Sequence, residues 1–178
     1  MKSKVKLICL LAIILIITSI MYTGLHELGH CLIAVLCGAT ITDVDLFNRS
    51  MSYMGGHFNN ITSALLHIAG ATFPVIICLV LLYAKRKASF IYNLFVVVFC
   101  LNTIISVGAL QAWVIVPLLS VYSTASASDD VIKFINVLDI HPMFVSAIAI
   151  VFVIGFIVVI LKGKYRVLSR QLSEQIKV

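Results

Sequence analysis

Charged side chains are scarce in this 178-residue sequence. Asp, Glu, Lys and Arg make up 11% of it, whereas about a quarter of a typical soluble domain is charged. Hydrophobic residues make up 62%, which is more apolar surface than one small globule can bury, so a lipid phase must cover the excess. The shortage of charge therefore argues against a soluble domain and predicts an integral membrane protein.

Three other patterns are missing. No basic stripe with interleaved aromatic residues is present, which argues against nucleic-acid binding. The five cysteines are odd in number and form no CxxC pair, so neither a disulfide framework nor a cysteine zinc site is indicated. The apolar run after the basic start at 1–6 continues to Leu36 without an A-x-A cleavage site, so we expect an uncleaved membrane anchor and not a removed signal peptide.

Four apolar stretches are long enough to cross a bilayer, which needs about 20 helical residues. They run over residues 7–37, 61–84, 90–109 and 141–161. The chain contains no repeats and no low-complexity linker. Residues 1–178 are therefore predicted to form a single domain, an all-α membrane protein with about four transmembrane helices.

Two polar connections join these stretches on one side. Period-two alternation at 38–60, followed by Gly55 and Gly56, predicts a short surface hairpin between the first two helices. The second connection, 110–140, starts with an apolar piece broken by Pro117 and continues as a small polar run up to Asp130, which is typical of a loop. A helical piece, 131–138, is expected to follow.

The positive charges indicate the orientation. The N-terminus, the 85–87 turn and the C-terminal tail hold all but two of the 13 lysines and arginines, the exceptions being Arg49 and Lys133. Cytoplasmic loops are the ones enriched in Lys and Arg. We therefore expect both termini in the cytoplasm, and the small size without added domains suits a bacterial cell membrane.

The first apolar stretch contains the motif His26-Glu27-Leu28-Gly29-His30. Residues four apart share one helix face, so His26 and His30 can bind one metal ion, with Glu27 as general base for an attacking water. The alternative is a chance match, with histidines satisfied by helix–helix hydrogen bonds. An ionisable residue at mid-membrane costs roughly 2.5–3.5 kcal/mol on insertion scales, which favours a functional site.

A catalytic zinc ion needs a third protein ligand and keeps a fourth position for water. The extended motif HExxHxxGxxH is absent, because position 36 is Leu36. The third ligand must therefore come from elsewhere in the chain. The candidates are acidic and imidazole side chains beyond the first apolar stretch: Asp43, Asp45, His57, His67, Asp129, Asp130, Asp139 and His141.

The motif at 25–30, within the first long apolar helix, resembles that of the site-2 protease family of intramembrane zinc metallopeptidases, in a small form without a PDZ domain. In that family the third ligand is an aspartate, often in an Asp-Gly pair. The resemblance implies Asp129 as this ligand, with Asp130, which stands where the family often has Gly, as the alternative. The Asn-Pro-Asp-Gly form of the aspartate motif is missing.

A second resemblance is the element at 69–74, Ala-Gly-Ala-Thr-Phe-Pro, which is similar to an Ala-Gly-x-x-x-Pro element near the active site of small family members. Packing through small residues is the equally weighted alternative. Asn102 and His67 are candidates for substrate or oxyanion support. Membrane asparagines more often bond a neighbouring helix, and His67 can equally be an interfacial histidine.

The depth of the motif agrees with the charge pattern. His26 lies 20 residues beyond Lys6, which is about 30 Å of helix. Asp129 lies in a connection assigned to the same outer side. Both halves of the predicted site therefore meet towards the outer leaflet.

Three functions fit the sequence to different degrees. The first is an intramembrane zinc endopeptidase acting on a membrane-anchored protein or peptide precursor, with Zn²⁺ as cofactor. The second is a catalytically silent, immunity-type membrane binding or regulatory protein, against which the intact Glu27 argues. The third is a metal transporter, which generally distributes polar residues over several spans. No feature indicates an oligomeric state.

Overall fold

The computed structural model describes residues 2–84, 89–105, 108–121, 126 and 129–176. The basic turn predicted at 85–87 lies outside the described residues, as do 122–125 and 127–128 of the predicted loop. The protein is about 80% helical.

Within the described residues, three helices are long and apolar enough to cross a membrane. Helix α1 spans Lys2–Leu36 and α2 spans Asn60–Tyr83. The last, α6, spans Pro142–Ile160 and continues, through a kink at Gly163, into the C-terminal helix. Many of their large apolar side chains are exposed, such as Ile8 and Val151. An aqueous surface would not tolerate so much exposed apolar area, which confirms a membrane-integral protein.

The remaining helices are shorter. Helix α3, Phe90–Ile105, is apolar but has 16 residues, fewer than the roughly 20 that a span needs, so the fourth span stays a prediction. A π-helical segment, Gly108–Ile115, leads into α4, Val116–Ser120. Next come α5, Asp130–Leu138, and, after α6 and a π-helical turn at Leu161–Tyr165, α7, Arg166–Ile176.

Two antiparallel strands lie between α1 and α2. Strand β1, Ala39–Asp45, pairs with β2, Ser50–Gly55, with an irregularity between Ile41 and Asp43. The strands join tightly to the helices, since the His57 N–H donates to the Cys37 carbonyl at 2.8 Å. The location of this hairpin at a membrane surface stays a prediction.

Small residues bring α1 and α2 into close contact. A Cβ at Gly29 would collide with the Ala69 carbonyl oxygen and lie 2.8 Å from its carbon, so only glycine permits this backbone approach. On the other side of α1, the Asn102 amide of α3 donates to Ser19 Oγ at 3.0 Å. These contacts fix the direction in which α1 presents its histidines.

Helix α5 is held by a separate apolar cluster. Val131, Ile132 and Ile135 are buried against Trp113 of the π-helical segment and Val145 of α6. Ile68 and Ala71 of α2 pack against the same cluster. The first turn of α5 is therefore anchored beside α2, on the side that faces α1.

Candidate metal centre

The two histidines of the motif lie on one face of α1. Their Nε2 atoms are 3.1 Å apart, and the rings meet edge to face with centroids 4.8 Å apart. The i, i+4 spacing alone brings the rings to one face, but converging nitrogens also require matching ring orientations. Both nitrogens therefore point towards a common position.

The side chain that completes this position is Asp130. Its Oδ2 lies 3.1 Å from His30 Nε2 and 3.5 Å from His26 Nε2. Ligand atoms around a tetrahedral zinc ion, at about 2.0–2.1 Å from the metal, are separated by about 3.3 Å. The three donor atoms match that separation, so the residues present fit a metal ion.

A backbone contact orients His30. Its Nδ1–H donates to the Leu66 carbonyl of α2 at 2.7 Å, which leaves the Nε2 lone pair free for a metal. Metal-ligating histidines almost always donate their second nitrogen in this way, because the bond fixes tautomer and ring orientation. His26 Nδ1, in contrast, is buried without a hydrogen-bond partner among the described residues.

The second carboxylate oxygen of Asp130 faces two other groups. Its Oδ1 lies 3.6 Å from His67 Nδ1 and 4.0 Å from Lys133 Nζ. Burial alone would raise the pKa of the Asp130 carboxyl, but the adjacent imidazoles of His26, His30 and His67 hold that pKa well below its usual range. Asp130 is therefore a carboxylate, which is the form that binds a metal.

Asp129, the aspartate that the resemblance favoured, is not part of this group. It is the N-cap residue of α5 and makes no side-chain cap hydrogen bond, although it lines the same pocket. The alternative, Asp130, occupies the first turn of the helix and is the acid that the structure brings to the histidines. Of the other third-ligand candidates, only His67 approaches the group, through Asp130.

Asn102 is located away from the metal group. It is buried between α3 and α1, where its amide donates to Ser19 Oγ, and it is not among the residues that line the pocket. Its contact is the helix-bridging type. His67, the other candidate for oxyanion support, does line the pocket.

Glu27 is buried next to the metal group. Its side chain is 2% exposed, and its Oε1 has no hydrogen-bond partner among the described residues. An unpaired buried carboxylate costs several kcal/mol. The neighbouring residues thus leave Glu27 available to a bound cation, a water molecule or a substrate.

The metal group, Glu27, His67 and Asp129 line one open pocket of about 710 Å³. Its walls come from α1, the hairpin, α2, the π-helical segment and α5. Several lining residues were not singled out from the sequence as site residues, among them Tyr22, one turn before His26, Arg49 of the hairpin and Lys133 of α5. The only sequence signal for the last two was their position as the sole basic residues of the outer connections.

Comparisons of the chain with models of protein families, with curated proteins and with solved structures found no match. The geometry of the metal centre therefore carries the functional argument.

The element at 69–74 contributes directly to this geometry. A Cβ at Gly70 would collide with His30 Nε2 and lie 2.7 Å from His26 Nε2. Glycine at this position thus leaves the volume that both imidazoles occupy. Ala69, the residue before Gly70, lies against Gly29 of α1. The packing of the two helices and the metal centre therefore depend on the same element.

We expect Gly70→Ala to weaken metal binding about 10–100-fold. The added methyl group must displace at least one imidazole, and overpacking of this kind costs about 1–3 kcal/mol. The affinity is measured by titrating the purified, metal-free protein in detergent with Zn²⁺. Gly24→Ala is the matched control, since nothing lies within 4 Å of its Cβ. Equal affinities of the two variants would contradict the packing role of Gly70.

Proposed function

We propose that the protein is an intramembrane zinc metalloendopeptidase that hydrolyses peptide bonds of a membrane-anchored protein or peptide precursor. His26, His30 and Asp130 hold the zinc ion, and Glu27 is the catalytic general base. The resemblance of the motif to site-2 proteases supports the reaction, and the convergence of the three donor atoms supports the metal site that this reaction needs.

The residues of the chain divide the chemistry between them. A zinc ion, when bound, polarises the scissile carbonyl and makes water more acidic. Glu27 accepts a proton from the water as the water oxygen attacks the scissile carbonyl carbon. Glu27 then returns this proton to the amine nitrogen as the C–N bond breaks. His67 and Lys133 lie 3.6 and 4.0 Å from Asp130 Oδ1, and their attraction favours the orientation in which Oδ2 faces the histidines.

The single observation that carries the proposal is the burial of Glu27 beside the metal group, with no hydrogen-bond partner for its Oε1 among the described residues. A structural metal site needs ligands, but it does not need a buried carboxylate oxygen beside them that, like Glu27 Oε1, has no hydrogen-bond partner in the part of the chain that the structure describes. Structural zinc sites are closed by four protein ligands, whereas catalytic sites keep an open position. Here three donors meet at an open pocket, which is the arrangement of a catalytic site.

The proposed topology has four spans. Helix α3 is the additional span, both termini are cytoplasmic, and the metal centre lies towards the outer leaflet. The distribution of Lys and Arg supports this orientation. The open pocket admits water to a site that lipid would otherwise keep dry. A substrate helix must unwind locally to expose its peptide bond there.

We expect a metal chelator to abolish proteolysis and Zn²⁺ to restore it. The measurement uses the purified protein in detergent with a mixture of single-span model peptides, and new peptide termini are counted by mass spectrometry. His26→Ala, which lacks one donor atom, should form no new termini before or after zinc addition. Cleavage that persists in the chelator would refute a metallopeptidase, and zinc binding without cleavage would favour a regulatory membrane protein.

A further inference from the structure

The turn of the hairpin has a fixed shape. Asp45 Oδ1 accepts the N–H groups of Phe47 and Asn48 at 2.9 and 3.0 Å, and Oδ2 accepts the Asn48 side-chain amide at 2.6 Å. These bonds close the turn around the residues between the strands. The backbone of Arg49 is thereby held at its position just before β2.

Arg49 adopts a conformation that favours glycine. Its φ is 53°, in the left-handed region, which costs a non-glycine residue about 1–2 kcal/mol. Strained residues of this kind concentrate at functional sites. Glycine would form the same turn without strain, so the side chain of Arg49 is the feature that needs an explanation.

The guanidinium group of Arg49 belongs to the pocket. Arg49 lines it together with the metal group and interacts electrostatically with both Glu27 and Tyr22. Among the described residues, however, no acidic side chain lies within 4.0 Å of Arg49. The charge-assisted hydrogen bonds that a guanidinium can make are therefore available to a ligand in the pocket.

Lys133 of α5 lines the same pocket. Arg49 and Lys133 are the two basic residues outside the terminal and 85–87 clusters, and the fold brings both to one pocket. Arg49, Lys133 and a bound divalent cation together carry four positive charges. Glu27, Asp129 and Asp130 carry three negative charges. The occupied pocket is therefore complementary to an additional anionic group.

We propose that Arg49 is a specificity-determining residue that binds a carboxylate of the peptide substrate beside the scissile bond. The inference rests on the proposed metallopeptidase function. A guanidinium binds a planar carboxylate through two parallel hydrogen bonds, which gives directional selectivity that a lysine lacks. The carboxylate belongs either to an Asp or Glu side chain or to the C-terminus of a released peptide.

The test uses short peptide hydroxamates, whose hydroxamate group ligates the metal, as probes. The full-length Glu27→Gln protein is purified in detergent with zinc, so that no turnover interferes with binding. One probe pair has a Glu or a Gln side chain with an amidated C-terminus. The other pair has a neutral side chain with a free or an amidated C-terminus. The pairs distinguish the two sources of the carboxylate.

We expect the charged member of one pair to bind at least about tenfold more tightly than its neutral partner. Adding Arg49→Gln should reduce this ratio to about one and leave the affinity of the neutral probes unchanged. Arg166→Gln is the matched control, because Arg166 is an exposed arginine of α7 outside the pocket, and this variant should retain the ratio.

Arg49→Gly is the second variant, since glycine relieves the strained φ and keeps the turn. We expect it to be at least as stable as the parent protein and to lose the preference for the charged probe. Equal binding of charged and neutral probes to the parent protein, or a preference that survives both substitutions, would overturn the role of Arg49. If no hydroxamate binds at all, the metal centre itself fails, and the inference fails with it.

Discussion

Replacing Asp130 by asparagine is expected to remove the metal from the protein. The substitution keeps the shape of the side chain but deletes the charge on Oδ2, the atom that lies 3.1 Å from His30 Nε2. Loss of an outer-shell partner already costs about 10–100-fold in metal affinity, and we expect the loss of a ligand charge to exceed this range. Zinc content after dialysis should fall from about one ion per chain to near zero.

Asp129→Asn is the matched control for this prediction. Asp129 is the N-cap of α5, and asparagine caps a helix as well as aspartate does, so the start of α5 should be preserved. We expect this variant to keep its zinc. The reverse result, with zinc lost from Asp129→Asn and kept by Asp130→Asn, would assign the third ligand to Asp129 and contradict the geometry.

The membrane-spanning helices could be predicted because lipid imposes a simple rule on sequence. Apolar runs predicted spans at 61–84 and 141–161, and the helices found there, α2 and α6, begin within one residue of those limits. The third apolar run predicted a span at 90–109, but α3 ends at Ile105, and the π-helical segment follows after 106–107. Hydropathy does not report this change in backbone hydrogen bonding.

The sequence predicted only the part of the candidate site whose residues lie on a single helix. The spacing of His26 and His30 fixes their common helix face, but Asp130 and Asp129 are adjacent in sequence and differ only in helical position. Which acid faces α1 depends on how the apolar cluster around Val131 anchors α5. Arg49 depends likewise on the turn that Asp45 closes. The anchoring of α5 is a long-range packing relation that one sequence does not display. The turn is local, but its position at the pocket depends on how the hairpin packs against α1.

Replacing Glu27 by glutamine is expected to slow peptide hydrolysis about 10²–10⁴-fold, the usual contribution of a general base. Glutamine has nearly the same shape as glutamate but accepts no proton at neutral pH. The three metal ligands are untouched, so zinc content should remain at about one ion per chain. The rate is measured on the same single-span peptides, with equal amounts of folded, zinc-loaded protein.

Stability should change in the opposite direction to activity. Glu27 is 2% exposed and its Oε1 is unpaired among the described residues, so a neutral amide relieves the cost of burying a charge. We therefore expect Glu27→Gln to raise the unfolding temperature of the metal-free protein while it slows catalysis. If Glu27 served folding alone, Glu27→Gln would instead be less stable and would cleave the peptides at an unchanged rate. Lower stability with normal hydrolysis would thus remove Glu27 from the mechanism.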